Sequence, residues 1–185
     1  MQKLSANGVR WLKGLHLLAI ACWVGGAISL ISLSFLKAGI TDGRVLYGIN
    51  QSLHHVDMSI VVVPGAIGSL LTGLAYSLLT NWGFFKHNWL TFKWIITLTA
   101  IVFGTFFLGP WESTMMEISG KLGIASLDDT AYLYNQKMNL WFGTLQVLVL
   151  MMTIFISIFK PWKSSGKAIK GDDHIHRITD QIDRR

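Results

Sequence analysis

The sequence predicts an all-α integral membrane protein, a bundle of four transmembrane helices with both chain ends on the cytoplasmic side. Three observations predict it. Of the 185 residues, 51% are hydrophobic and only 14% are charged, against about a quarter in a soluble domain. Mean hydropathy is +0.45. The charges also cluster, leaving four long stretches without any Asp, Glu, Lys or Arg: 14–36, 58–85, 94–111 and 138–159. Each stretch reaches the ~18–20 residues that cross a hydrocarbon core of ~30 Å. Backbone amides in lipid must bond within their own segment, so these stretches read as helices.

The first helix is expected over about 11–36. Lys3, Arg10 and Lys13 precede its apolar run. That run is longer than the ~7–15 residues of a signal-peptide core, so it reads as a retained helix. The second is expected over about 55–82, with Pro64 kinking it by removing an amide donor. At α-helical spacing His55, Ser59, Val62, Ala66, Ser69, Gly73 and Ser77 form one narrow face rich in small residues. The third helix is expected over about 90–110, ending at Pro110. A long outer connection follows from Glu112 to Lys137, then a fourth helix over about 138–160. Residues 1–160 thus form the bundle, and 161–185 a basic juxtamembrane tail.

Basic residues stay on the cytoplasmic side. Lys3, Arg10, Lys13, Lys86, Lys93 and the lysines and arginines of the tail fall on one side; only Lys37, Arg44, Lys121 and Lys137 fall on the other. The net charge of +6 therefore serves topology and binding to anionic lipid rather than nucleic acid. The single cysteine, Cys22, excludes an internal disulfide and a cysteine zinc site. No Walker loop, His-Glu-x-x-His pair or dinucleotide-binding glycine motif is present.

Ionisable residues inside a membrane are the first candidates for function. His16 lies in the cytoplasmic half of the first helix, beside Trp23 and Gly26. It reads equally well as a ligand or as a neutral imidazole bonded to a neighbouring helix. His54 and His55 stand at the outer start of the second helix, with Asp57 placed to orient one of them. Adjacent histidines point in different directions on a helix, so the two do not chelate one ion together. Gly65 and Gln146 line the expected interior with Trp23 and Gly26. Glu112, Met115, Met116, Glu117 and Met138 lie on the outer side with the histidine pair and are candidates to complete a metal or haem site there. His87, His174 and His176 read as solvated. A hairpin turning near Thr41 would set His55 level with Gly26, ~15 Å along the helices from His16. One site using every histidine is therefore disfavoured.

The run Trp11-Leu-Lys-Gly-Leu-His16-Leu-Leu-Ala-Ile-Ala-Cys-Trp23-Val-Gly-Gly26 resembles the first helix of the copper-resistance D-like membrane proteins. It also resembles that of the membrane-embedded bacterial protoporphyrinogen oxidases. Asp57, Pro64-Gly65, Thr72-Gly73-Leu74 and Pro110 are similar to small membrane proteins related to these groups. The resemblance spans about 11–159. It implies a four-helix bundle in a bacterial plasma membrane. The oxidase group implies haem b, with His16 at the position of a ligand or essential histidine; the copper group implies metal movement across the membrane.

Two functions follow as expectations. One is a haem b protein with a redox or haem-handling role, including a haem-dependent oxidoreductase, with His16, His54 and His55 as candidate iron ligands. The other is a copper or other metal transporter. A non-catalytic membrane partner or assembly factor needs only the packing features. Membrane lipid is the one certain partner; a redox partner and a homo-oligomer are both compatible with the sequence.

Overall fold

A computed structural model describes residues 4–80 and 88–159. These residues form four helices, each long and apolar enough to cross a membrane: α1 (Ala6–Phe35), α2 (Gly43–Leu79), α3 (Asn88–Asp128) and α4 (Thr130–Phe159). The chain is a multi-pass membrane protein with an all-α bundle. The tail with His174 and His176, and residues 81–87 with His87, lie outside the described residues.

The near end of the bundle holds the start of α1 and the end of α2, tied together by the Leu4 amide donating to the Leu79 carbonyl at 3.2 Å. Ser5 caps α1 by accepting from the Gly8 amide. At the far end the chain leaves α1 through Gly39, whose φ of +77° suits glycine. Asp42 then caps α2, accepting from the Arg44 amide at 2.8 Å.

The far end departs most from the sequence expectation. Helix α2 starts at Gly43, not near residue 55, and α3 runs past Pro110 to Asp128. The expected long outer connection is therefore helix, and α4 begins at Thr130, where the Asp129 carboxylate accepts from the Tyr132 amide at 2.8 Å. Polar residues hid these extensions. Leu46, Asn50 and Leu53 of α2 are buried at helical spacing, as are Glu112, Met115 and Ser119 of α3. Their polar neighbours face outward, as on any amphipathic helix. Gly43 fits because it crosses the backbone of Gly123 and Ile124, which a methyl group would approach to 2.5 Å.

Neither proline breaks its helix. Pro64 lies within a π-helical stretch, Asp57–Ile67, and Pro110 comes two residues after the end of another, Gly104–Leu108. In this register hydrogen bonds reach one residue further, which accommodates a residue without an amide donor. The wider turn also rotates everything beyond it. His55 and Ser59 consequently face outward while Ala66, Ser69 and Ser77 are buried, so the single face expected from His55 to Ser77 does not exist.

Helices α1 and α2 meet along a tight antiparallel seam. Gly26 abuts Val61, Gly65 abuts Trp23, and Gly68 abuts Ala19. Small residues allow this close approach, which lipid-embedded packing favours. Trp23, Val61, Ala66, Ala100 and Leu150 form an apolar core in the middle of the bundle. Leu46, Met115 and Tyr132 form a second core at the far end.

Candidate functional site

His16 faces α2 at the near half of the seam. Its Nδ1 lies 2.7 Å from Thr72 Oγ1. The Thr72 hydroxyl hydrogen is already committed, donating to the Gly68 carbonyl at 2.6 Å. Thr72 must therefore accept, so His16 carries its proton on Nδ1 and the lone pair on Nε2. Lys93 Nζ donates to that lone pair from α3 at 3.4 Å. The Tyr76 ring stands edge-on at 6.4 Å, and its hydroxyl donates to the Val9 carbonyl. Three helices thus fix the tautomer and orientation of one imidazole.

This imidazole lines a partly open cavity of about 580 Å³, within the ~300–1,000 Å³ range of small-molecule sites. Its walls are largely apolar: Trp23, Tyr76, Trp89 and Trp94 from α1, α2 and α3 line it with aliphatic residues that include Leu150 and Ile154 of α4. Its polar points are few. Besides His16 they include Lys13, Lys93, Ser69 and Ser157. The hydroxyls of Ser69 and Ser157 are buried and have no hydrogen-bond partner among the described residues. Ser69 is only 5% exposed. Such groups are costly to leave unpaired, so each marks a place where a ligand atom or water belongs.

The other sequence candidates separate from this cavity. Of them, only Trp23 lines it with His16. Gly26 and Gly65 serve close packing in the seam. Gln146 lies against Gly104 on α3, away from the cavity. His54, His55 and Asp57 are at the far end. Thr72, level with His16, is roughly 25 Å along α2 from His55 at ~1.5 Å per residue, further than the ~15 Å expected. The expected offset was short because α1 and α2 turn at residues 36–42 and pair Gly26 with Val61 rather than with His55.

The far end holds a separate polar layer. His54 Nδ1 lies 3.8 Å from Glu112 Oε1, while His55 is exposed. Asn50, 1% exposed, donates to Ser119 Oγ at 2.9 Å and Tyr132 Oη at 3.2 Å. Lys37 is 4% exposed. Its ammonium donates to Met115 Sδ at 3.7 Å and lies over the Tyr132 ring. Burial pulls the Lys37 pKa down to about 8, against the opposing pull of the Glu112 carboxylate. Among the described residues no three of His, Cys, Asp and Glu stand close enough to hold a metal ion.

Sequence reasoning missed Lys93 as a site residue, since it was counted only as a basic flank. The available signal was periodicity: Lys93 falls four and three residues from Trp89 and Leu90 and four from Thr97, all on the cavity wall. No family model matches the chain, and no curated protein or solved structure is significantly similar to it.

Proposed function

We propose that this protein binds haem b in the near-end cavity, with His16 as axial ligand through Nε2, and that it has a redox or haem-handling role in a bacterial plasma membrane. One observation carries the reading. Thr72 fixes the proton on Nδ1, which leaves the Nε2 lone pair as acceptor, met by Lys93, on the lining of a largely apolar cavity. A ligating histidine normally has its other nitrogen held by such a hydrogen bond. Haem needs an axial imidazole and an apolar pocket, and the residues present fit both needs. When bound, the group would supply one-electron chemistry.

The chain's own residues would do the rest. Thr72 orients the imidazole, Trp23, Trp89 and Trp94 exclude water, and Lys93 holds Nε2 until it is displaced. The alternative of copper transport draws on the far-end histidines, Asp57 and methionines. It has weaker support, because His55 is exposed and, among the described residues, no three of His, Cys, Asp and Glu stand close enough to hold an ion.

The test is an absorption spectrum of detergent-purified protein, oxidised and dithionite-reduced. A Soret band is expected that His16→Ala abolishes and that His54→Ala and His55→Ala leave intact. Colourless protein that takes up no added haemin overturns the reading.

A further inference from the structure

The charge balance of the near-end cavity is one-sided. Among the described residues it is lined by two lysines, Lys13 and Lys93, and by no Asp or Glu. Lys13 is exposed and sits one helical turn from His16 on α1. Lys93 is set deeper, and among the described residues no carboxylate lies within 4.0 Å of it. Among the described residues its one hydrogen-bond acceptor is the neutral His16 Nε2 at 3.4 Å, a long contact for an ammonium. A cation drawn into an apolar, aromatic site without a counter-charge is costly unless something pairs with it. The Ser69 hydroxyl, without a hydrogen-bond partner among the described residues, is a second polar point on the same cavity.

We propose that the ligand of this cavity is a planar amphiphile bearing carboxylate groups, and that Lys93, with Lys13 at the rim, binds those carboxylates. The aromatic walls of Trp23, Trp89 and Trp94 take the flat body. The two ammonium groups take the acidic edge through charge-assisted hydrogen bonds, which are the stronger kind. The same pairing draws Lys93 off His16 Nε2, so the acidic edge of the ligand releases the imidazole that the flat body then meets. Ligand carboxylates and imidazole ligation are thereby coupled through one lysine. The proposal rests on the cavity being a ligand site, as in the haem reading, but not on the ligand containing iron.

The test compares acid with ester. Purified full-length protein is titrated with haemin, haemin dimethyl ester, and the iron-free porphyrin as acid and as dimethyl ester. All are run in one detergent at one concentration, read by the Soret band and by quenching of tryptophan fluorescence. The wild type should prefer each acid over its ester, and Lys93→Gln with Lys13→Gln should reduce that preference by about tenfold or more. Lys93→Arg should retain it. Affinities are referred to the measured free aqueous concentration of each ligand, so detergent partitioning does not enter the ratio, and within each variant the freeing of Nε2 acts on acid and ester alike. Helicity and elution volume identify variants that have failed to fold, and the wild-type ratio and Lys93→Arg still decide in that case. An acid-to-ester ratio unchanged by the lysine substitutions overturns the proposal, as does equal affinity for acid and ester in the wild type. If haemin binds through His16 without acid preference, the carboxylate assignment fails and the haem reading stands. If both acids bind alike and His16→Ala changes neither, the haem reading fails and the carboxylate assignment stands.

Discussion

Gly65 lies so close to Trp23 that a methyl group built on it would come within 2.7 Å of the Trp23 Cα and 2.9 Å of its amide nitrogen. Both obstacles are backbone, which cannot swing aside as a side chain can. Gly65→Ala should therefore force α1 and α2 apart and destabilise the bundle by about 1–3 kcal/mol, the usual range for overpacking. Gly25→Ala, one position from Gly26 but with nothing within 4 Å, should be neutral. Thermal unfolding of the two variants in the same detergent checks this. Equal effects would contradict the seam.

Thr72 fixes the His16 tautomer through its accepting hydroxyl. Thr72→Val removes the acceptor while keeping the shape, and Thr72→Ser keeps the acceptor. If His16 ligates haem, Thr72→Val should weaken haemin binding by about 10–100-fold, the range for losing a ligand's orienting partner. Thr72→Ser should stay close to wild type. Soret titrations measure both.

Lys37 is buried at the far end with its pKa held at about 8. The unfolded chain keeps the ordinary value near 10.5. Below about pH 8 the ammonium is charged in both states, and its burial opposes folding in full. Between about pH 8 and 10.5 the unfolded chain binds more protons, so stability should rise with pH through that window. The gain is on the order of 3 kcal/mol. Lys37→Met should remove this rise, and the difference between wild-type and variant unfolding curves across the window isolates it from other titrating groups.

Asn50 joins α2 to α3 and α4 by donating to Ser119 and Tyr132 in a fully buried setting. Asn50→Leu leaves the Tyr132 hydroxyl without that partner and should cost about 1–3 kcal/mol. Tyr132→Phe removes the orphaned group itself and should cost less. Asn50→Asp puts a carboxylate at a position only 1% exposed and should cost the most at neutral pH. Denaturation midpoints of the three variants give the order directly.

The bundle was legible because it depends on composition and on the length of charge-free segments, and both survive without tertiary information. His16 and Trp23 were legible because they sit within such a segment. The helix ends were not. Gly43–Val56 and the part of α3 beyond Pro110 are amphipathic, and their polar faces read as connecting chain. Lys93 was missed for the opposite reason: a lysine beside a span was taken for a topology signal, although Trp89, Thr97 and Lys93 share one wall of the cavity. The face from His55 to Ser77 was misread because it assumed one uniform helical period, and the π-helical stretch around Pro64 changes that period midway.

The apolar core of Trp23, Val61, Ala66, Ala100 and Leu150 separates the lysine-lined cavity at one end from the polar layer at the other. In a membrane this dry partition is where most of the voltage falls, because the field concentrates in material of low polarisability. An electron or proton exchanged between the two ends would therefore do electrical work, about 2.3 kcal/mol per unit charge for each 100 mV. Redox turnover confined to the cavity would be electrically silent, whereas turnover linking both ends would charge the membrane.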